Sequence, residues 1–415
     1  MDRILDAYLH GHLAGQLVQN EAGLLEFTYA PSYLQVSGAL ALSQSLPLRR
    51  QTFGNSECKG YFAGILPEGE VRKIIARNLG VSAGNDFSML DRIGVECAGA
   101  VTFLSSDMAL QNKVHRYKRV TGRNIETILE ELPRRPLLAG EEGIRLSLAG
   151  ARDKLAVYIS GGKIYLPLGN APSSHILKPE IAGYEHIVEN EAICMTLAAR
   201  LGLTTAGVRT GQASRKKYLL IERYDRKPAG IADPPVQRLH QEDFCQALGI
   251  IPDKKYEEEG GVSVKQCFDL LRRVSTVPVT DLRCMLDAVI YNFIIGNHDA
   301  HGKNFSLLYD RSSQGITTRL APLYDLICTA VHPQLHRKLA MKIDDKYRSE
   351  SIRLSHFEMM AGEAGLSVPF VRQRVKALTE HVIDLLDAAD DPIFQSGPEV
   401  TGWIRTHALK VRGWF

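Results

Sequence analysis

The sequence lacks any long hydrophobic run. None of its segments approaches the roughly 18 uncharged apolar residues that predict a membrane-spanning helix. The first residues, "MDRILDAYLHGHLAG", also lack the charged, apolar and small-residue regions that are typical of a signal peptide. We therefore expect no membrane association. The proportions of apolar and charged residues are ordinary for a globular protein, which is the class that we expect.

The sequence also lacks paired cysteines. No two cysteines form a C-x-x-C pair, and their number is odd. Such a set predicts reduced thiols and a cytoplasmic protein rather than a disulfide framework. Most of them are expected to be small core hydrophobes. The seven positions are Cys58, Cys97, Cys194, Cys245, Cys267, Cys284 and Cys328.

A strong charge of either sign is absent as well. The formal net charge of +3 is too small to indicate nucleic-acid binding by itself. One basic stretch, "KVHRYKRVTGR" from Lys113 to Arg123, is open to that interpretation, but a solvated strand and linker is the interpretation that we favour. No helix-turn-helix pattern, internal repeat or low-complexity segment is recognisable.

Residues 1–108 predict a mixed module of strands and helices. In "GLLEFTYAPSYL", alternation places Leu25, Phe27 and Tyr29 on one face of a strand. "GILPEGEVRKIIARNLGV" predicts a helix that ends at Gly80, and "CAGAVTFL" predicts a short buried strand. The composition of this module indicates no particular chemistry.

Residues 109–240 are predicted to be a second segment that is rich in strands. Two apolar runs flank Gly161 and Gly162, as in a β-hairpin, and "SHILK" and "KKYLLIERYDR" predict further strands. A helix is expected over "EHIVENEAICMTLAARLGL". From residue 241 to residue 415 helices are expected to dominate, so the sequence predicts an α+β fold with a β-rich lobe, an α-rich lobe and a cleft between them.

The segment "GNHDAHGKNFSLLYD" concentrates polar residues directly behind an apolar helix. Asp299 and Asn304 have the spacing of the phosphoryl-transfer loop H-R-D-x-x-x-x-N. In that loop the Asp accepts the proton of the substrate hydroxyl, and the Asn binds a magnesium ion through oxygen. The D-x-x-x-x-N spacing alone is common by chance, so other residues must support the hypothesis.

Three further features support a phosphoryl-transfer site. Asp325 follows the strand-like "RLAPLY", where a second metal-binding Asp is expected after a turn anchored by Leu323 and Tyr324; a helix N-cap is the alternative for Asp325. Lys178 ends "SHILK" and is a candidate phosphate-binding lysine, with a snorkelling surface lysine as the alternative. The small-residue loop "SLAGARDK" could bring backbone N–H groups near phosphates.

Several segments together resemble the HipA-type serine/threonine-kinase toxins. They occur in the order and with the relative spacing of that family. The segments are "SLAGARDKLAVY", "SSHILKPE", "NEAICMTLAARLGL", "LIERYDR", "RLHQEDFCQALG", "GNHDAHGKNFSLLY" and "LAPLYDLICT". The resemblance extends into the N-terminal module through "FTYAPSYL", "YFAGILPEGEVR" and "VECAGAV", and therefore covers nearly the whole chain.

The resemblance implies a role for each matching residue and a two-lobed, protein-kinase-like fold. It makes Asp299 the catalytic base, Asn304 and Asp325 the magnesium ligands, and Lys178 the ATP-phosphate lysine. It further implies ATP contacts at Lys154, Glu222, Tyr224, His301 and Lys303, and autophosphorylation at Ser147. Asn297 and His298 depart from the family pattern and receive no role, and Glu191 is a candidate partner of Lys178.

The resemblance also implies an activity and partners. The protein would be a growth-inhibiting kinase that uses ATP and Mg²⁺ and phosphorylates a component of translation, such as an aminoacyl-tRNA synthetase. A HipB-type helix-turn-helix antitoxin would neutralise it and connect it to operator DNA. Two alternatives stay open: a kinase of small molecules, and a non-catalytic subunit of a DNA-bound repressor complex, against which the intact set of site residues argues.

Overall fold

The computed structural model describes residues 2–106, 115–229, 235–312, 315–388 and 391–415. The chain divides into two compact units. The first comprises Met1–Pro179, Gly211–Asp253 and Leu308–Thr317, and the second comprises Glu180–Thr210, Lys254–Leu307 and Thr318–Phe415. Neither unit is continuous in sequence, and the predicted segment boundaries near residues 108 and 240 remain predictions. The first two residues of the basic stretch, Lys113 and Val114, lie outside the described residues.

Strands are concentrated in the first unit and long helices in the second. The strands are β1 (Arg3–Leu9), β2 (His12–Gln19), β3 (Leu25–Tyr29), β4 (Val101–Ser105), β5 (Arg116–Val120), β6 (Leu155–Ser160), β7 (Lys163–Leu168), β8 (His175–Pro179), β9 (Val208–Ala213), β10 (Lys216–Glu222), β11 (Arg226–Pro228), β12 (Val236–Arg238), β13 (His240–Asp243), β14 (Ser306–Ser312), β15 (Gly315–Leu320), β16 (Lys338–Ile343) and β17 (Lys346–Arg348). The helices are α1 (Asn55–Gly64), α2 (Gly69–Leu79), α3 (Asp86–Ile93), α4 (Gly122–Glu131), α5 (Ile187–Arg200), α6 (Phe244–Ala247), α7 (Val264–Val274), α8 (Pro278–Ile294), α9 (Leu354–Glu363), α10 (Val368–Ala388), α11 (Pro392–Gln395) and α12 (Pro398–Arg412).

An antiparallel sheet of order β3-β2-β1-β4 begins the first unit. Leu25, Phe27 and Tyr29 are buried and alternate with half-buried residues along β3, as the sequence predicts. The predicted helix before Gly80 is α2, and Gly80 ends it with a left-handed backbone (φ 67°) and a capping N–H. The predicted buried strand is β4.

A larger sheet of order β5-β7-β6-β8-β10-β9 follows. The predicted hairpin is confirmed as β6 and β7, and Gly161 and Gly162 both have positive φ angles of 53° and 70° at its turn. Strand β8 lies between β6 and β10, and in this register Lys178 is opposite Leu219 and Glu222 is opposite His175. The sheet therefore fixes the positions of two residues that the family resemblance singles out.

One hydrophobic core joins the N-terminal sheet to the larger sheet. It contains Phe27, Phe62 and Phe103 from the first hundred residues together with Leu155 and Leu177 from β6 and β8. Burial of apolar surface is the main favourable contribution to folding. The N-terminal residues consequently stabilise the sheet that carries Lys178, and they are not an independent appendage.

A buried cluster of ion pairs lies beside this core. The carboxylate of Glu96 is 0% exposed and pairs with the guanidinium groups of Arg223, Arg226 and Arg238. Burial alone would raise the pKa of Glu96, but these three arginines lower it to about 2. Asp225 contributes a second carboxylate, which pairs with Arg223 and Arg226.

Buried helices dominate the second unit. Nearly every residue of α8 after Cys284 is buried, and α10 packs against α8, α9 and α12. A helix that is buried on all sides gives a rigid base to the loop that follows it. The prediction of core cysteines is confirmed, since six of the seven are buried, and no disulfide joins any of the seven. In the part of the chain that the structure describes, no helix has both the length and the hydropathy needed to cross a membrane.

Glu242 is a buried carboxyl group in the first unit, and none of its hydrogen-bond partners among the described residues is cationic. It lies on β13 and accepts hydrogen bonds from the hydroxyls of Ser43 and Tyr309 and from the backbone N–H of Gln44. Burial raises the pKa of Glu242 to about 7, although these hydrogen bonds favour the ionised form.

This pKa predicts a specific pH dependence of stability. Since the folded pKa is about 7 and the ordinary value is 4.5, the folded protein binds the proton more tightly than the unfolded chain. The contribution of protonated Glu242 is complete below about pH 4.5 and is lost as the pH rises through about 7, a change of up to roughly 3 kcal/mol. Urea unfolding of Glu242→Gln at about pH 5 and pH 8 should show a smaller loss of stability than the wild type. The exposed Glu130→Gln is the control and should keep the wild-type loss; an unchanged loss in Glu242→Gln would contradict the assignment.

Candidate active site

The loop after α8 starts at a position where only glycine fits. Gly296 has a φ of 69°, and a Cβ atom built there would lie 2.4 Å from the Trp403 ring of α12. Any other residue would be strained by the backbone and would clash with the indole. The path of the loop away from α8 is therefore set by α12.

Asn297 joins three segments at the start of this loop. Its side-chain amide donates to Asn292 Oδ1 at 2.8 Å and to the backbone oxygen of Asp325 at 3.3 Å. Its Oδ1 accepts the backbone N–H of Asp299 at 3.2 Å. Since Asn297 is 3% exposed, these hydrogen bonds are shielded from water and hold both aspartate-bearing segments against α8.

The carboxylate of Asp299 is at the surface. Asp299 is exposed, and its Oδ1 accepts a hydrogen bond from the Tyr256 hydroxyl at 2.8 Å. The Tyr256 ring also packs edge-on against His301, with 5.6 Å between ring centroids. Asp299 is therefore accessible to a substrate, and Tyr256 restricts the orientation of its carboxylate.

Asn304 and Asp325 lie side by side. Asn304 Nδ2 is 3.4 Å from Asp325 Oδ2, and Asn304 Oδ1 accepts the backbone N–H of His301 at 3.1 Å. Asp325 has a φ of 52°, which is rare for a residue with a side chain and typical of functional positions. The donor set suits a hard divalent cation, since it offers carboxylate and amide oxygens. Asn304 Oδ1 uses one lone pair for the His301 N–H and has a second for a cation.

Tyr324 attaches the Asp325 segment to the loop. Its hydroxyl donates to the backbone oxygen of Lys303 at 2.8 Å and lies 2.6 Å from the hydroxyl of Ser306. Leu323 forms an isolated bridge with Thr205, so the expected anchoring by Leu323 and Tyr324 is confirmed. The prediction that "RLAPLY" is a strand is wrong beyond Leu320, where β15 ends, because Pro322 has no N–H to donate to a ladder.

The other predicted residues lie in the first unit. Lys178 is buried on β8, and Glu222 is exposed at the end of β10. The Tyr224 hydroxyl donates to Gln241 Oε1 at 2.7 Å, and Lys154 Nζ donates to the backbone oxygen of Ala149 at 2.6 Å. The second unit therefore brings together Asp299, His301, Lys303, Asn304 and Asp325, while the first unit holds Ser147, Lys154, Lys178, Glu222 and Tyr224.

Ser147 is fully buried in the first unit. It is 0% exposed, its hydroxyl donates to the backbone oxygen of Ile65 at 3.0 Å, and its N–H donates to the backbone oxygen of Glu96 at 2.9 Å. Bridges from Leu146 to Glu96 and from Gly150 to Pro67 hold the segment on either side. A phosphate group does not fit at Ser147 while the segment is in this position.

Sequence reasoning missed Tyr256 and left Asn297 without a role. Tyr256 lies 43 positions before Asp299, and no local pattern connects the two residues. The sequence did contain an indication for Asn297, because an amide side chain between a buried helix and a short polar loop can hydrogen-bond the loop to the helix. The buried residues of "LIERYDR" were also missed: Arg223, Asp225 and Arg226 belong to the ion-pair cluster.

Asn297 provides a test of the geometry that does not require an activity. In Asn297→Ala the amide of Asp299 loses its acceptor, and the loop should open more easily by about 1–3 kcal/mol. Hydrogen exchange of the Asp299 amide should become roughly 5- to 100-fold faster. The exposed amide variant Gln373→Ala should leave this exchange rate unchanged, and equal rates in Asn297→Ala and the wild type would refute the clamp.

Comparison with known proteins identifies the family of the chain. A sequence model of the HipA N-terminal domain matches residues 5–104, and one of the HipA-like C-terminal domain matches residues 146–389. The chain is 44% identical over 382 residues to "Putative kinase Y4mE" of Sinorhizobium fredii, covering 91% of this chain and 90% of that protein. It is 32% identical over 356 residues to "Serine/threonine-protein kinase toxin HipA" of Shewanella oneidensis, covering 82% of this chain and 79% of that protein.

The structure has a similar solved neighbour. A chain in the complex of the Shewanella oneidensis toxin–antitoxin system, which contains HipA, HipB and operator DNA, superposes with a TM-score of 0.85. It is 26% identical, and the match covers 99% of this chain and 98% of that chain. The predicted α+β fold class is confirmed. With both domain models and a relative above 30% identity in agreement, the chain belongs to the HipA family.

Proposed function

We propose that this protein is a serine/threonine protein kinase that uses ATP and Mg²⁺. The observation that carries the proposal is the arrangement of the exposed Asp299 and the adjacent Asn304 and Asp325, which Asn297 and Tyr324 hold together. The names of the relatives support a kinase, and the relative named a serine/threonine-protein kinase supports the acceptor class. The conformity of this loop with the phosphoryl-transfer spacing supports the same conclusion.

In the proposed reaction Asp299 accepts the proton of the acceptor hydroxyl. Its exposure allows the substrate to approach, and the Tyr256 hydroxyl fixes one carboxylate oxygen, which leaves the other for the substrate. Asn304 and Asp325 would hold Mg²⁺, which neutralises charge on the transferred phosphoryl group when it is bound. Lys178 would bind the ATP phosphates, with Lys154, His301 and Lys303 as further phosphate contacts and Glu222 and Tyr224 as contacts of the adenine.

We further propose that the protein acts in the cytoplasm as a toxin with a HipB-type antitoxin. The solved neighbour comes from a complex with HipB and operator DNA, which supports a partner of that type for this chain. The seven free cysteines are in keeping with a reducing compartment. The proposed acceptor is a component of translation, such as an aminoacyl-tRNA synthetase, and Ser147 is the proposed site of autophosphorylation.

Substitutions of the two aspartates separate the proposed roles. Asp299→Asn should retain nucleotide binding and lose about 10²–10⁴-fold in phosphoryl transfer, because the lost group is a general base. Asp325→Asn should also weaken Mg²⁺-dependent nucleotide binding, because a metal ligand is lost. Transfer from labelled ATP and nucleotide affinity are the two measurements, and the exposed Asp384→Asn on α10 is the control.

The acceptor class is tested in the same assay with a host lysate and a pool of metabolites. Label on protein supports the proposal, and label on a metabolite alone would make the enzyme a small-molecule kinase. Full transfer by both Asp299→Asn and Asp325→Asn would refute the assignment of the loop. Binding to the antitoxin without any transfer would favour a non-catalytic subunit.

The burial of Ser147 predicts that autophosphorylation rearranges its segment. A phosphate adds about −1.5 to −2 charges and three acceptor oxygens, which cannot be accommodated where Ser147 now contacts Ile65. Phosphorylated protein should therefore expose residues 145–153 to protease and bind ATP more weakly. Mass spectrometry after incubation with ATP locates the phosphate, and nucleotide binding by Ser147→Asp is compared with that by the exposed Ser160→Asp. Phosphate on other residues alone, or normal ATP binding by Ser147→Asp, would contradict this prediction.

A further inference from the structure

A cavity lies behind the loop that carries Asp299, within the second unit. Its volume is about 520 Å³, which is within the range of small-molecule sites, about 300–1,000 Å³. Its wall includes His298, the residue directly before Asp299, together with Phe293 of α8 and Trp403 and Trp414 near the C-terminus. None of the residues to which we assign a catalytic or nucleotide-binding role lines this cavity.

His298 is the unusual group in this wall. It is 4% exposed, and neither of its ring nitrogens makes a well-formed hydrogen bond in the described part of the chain, although the backbone of His336 lies close enough to interact with the imidazole. Burial lowers the pKa of His298, while the backbone of His336 acts in the opposite direction to a smaller extent. A buried imidazole without a partner costs free energy, so a ligand that supplies a hydrogen bond would be favoured.

The backbone of His298 is fixed independently of its ring. Its N–H donates to Thr329 Oγ1 at 2.8 Å, and its carbonyl oxygen accepts the N–H of Ala340 at 2.8 Å. The backbone therefore positions the imidazole, and the ring nitrogens are not needed to hold it in place. A second imidazole, that of His407, hydrogen-bonds the backbone oxygen of Ile294 through Nδ1, so its Nε2 remains available as an acceptor.

Charge and aromaticity indicate the class of ligand. The cavity is lined by the cationic side chains of Arg337, Arg353 and Lys410 and by one acidic side chain, that of Glu350. All four of these residues are exposed, so they form the rim, whereas His298 lies at the buried end. The indoles of Trp403 and Trp414 offer flat apolar surfaces. An excess of positive charge at the rim and aromatic walls inside fit a small aromatic molecule with one anionic group.

We propose that this cavity is a binding site for a small aromatic acid, with the ring between the aromatic walls, a polar substituent of the ring hydrogen-bonded to His298 and the anionic group at the cationic rim. The proposal is independent of the proposed kinase function, since it concerns binding alone. The anionic group is a carboxylate or a phosphate, because both satisfy the same rim charges.

The two tryptophans of the chain make this site directly observable. Trp403 and Trp414 are the only tryptophans in the sequence, and both line the cavity, so all tryptophan fluorescence comes from its wall. Three probes of matched shape separate ring from charge: 3-phenylpropanoate, 3-phenylpropan-1-ol and 3-phenylpropylamine. None of them absorbs where tryptophan is selectively excited.

The acid should change the tryptophan fluorescence saturably, with a Kd of about 0.1–1 mM, as expected for so small a ligand. The alcohol should bind at least about fivefold more weakly, and the amine more weakly still, because the rim is cationic. The same titration with phenyl phosphate distinguishes phosphate from carboxylate as the preferred anion. Absence of a saturable change up to about 10 mM acid, or equal binding of acid and amine, would overturn the proposal.

Variants assign the contacts. Lys410→Gln should weaken binding of the acid about two- to fivefold and leave the alcohol unaffected, since an exposed ion pair is screened by water and contributes little. Lys376→Gln, an exposed lysine of α10 outside the cavity wall, is the matched control and should bind as the wild type does. His298→Leu should weaken binding of 3-(4-hydroxyphenyl)propanoate, whose phenol reaches the buried end, about three- to tenfold through the lost hydrogen bond, and should leave 3-phenylpropanoate unaffected. Its folding is checked by circular dichroism; unchanged binding of 3-(4-hydroxyphenyl)propanoate by a folded His298→Leu, or equal effects of the two lysine variants, would refute the contacts.

Discussion

A single buried carboxamide, that of Asn297, is the constraint on which the candidate active site depends. Its three hydrogen bonds join Asn292 near the end of α8, the backbone N–H of Asp299 and the backbone oxygen of Asp325. The two aspartates are distant in sequence, so their proximity must come from tertiary contacts. Because α8 is buried on all sides from Met285 to Ile294, the core of the second unit determines the position of Asn297. The adjacency of Asn304 and Asp325 is a consequence of this arrangement, to which the Tyr324 hydroxyl adds a second connection.

In the first unit, some residues of one motif stabilise the fold while their neighbours remain accessible for function. Along "LIERYDR" the side chains alternate: Arg223 and Asp225 point into the ion-pair cluster around Glu96, whereas Glu222 is exposed and Tyr224 is half-buried. A buried carboxylate with three arginine partners is costly to desolvate, and removal of any one partner would leave an unpaired charge in the interior. The motif is therefore constrained by structure as much as by the proposed contact with adenine.

The sequence was informative where the signal is local. Alternation predicted β3, paired glycines predicted the β6–β7 hairpin, and the apolar periodicity before Gly296 predicted a buried helix leading to a polar loop. It was uninformative where the outcome depends on distant contacts. The pairing of Tyr256 with Asp299, the burial of Ser147 under Ile65 and the single core shared by the N-terminal sheet and the larger sheet have no local pattern. The prediction of a strand through Pro322 was wrong. The apolar composition favoured a strand, but proline has no N–H for the hydrogen bonds between strands, and β15 ends at Leu320.

The contact between Gly296 and Trp403 has a genetic consequence. The indole of α12 occupies the space in which a side chain at position 296 would lie, so the last helix forms part of the support of the loop with Asp299. A premature stop codon shortly before α12 would keep every residue to which we assign a catalytic role and would still remove this support. If expression of the protein inhibits growth, suppressor mutations should therefore include late truncations, and a search confined to the segments of the proposed catalytic residues would overlook them.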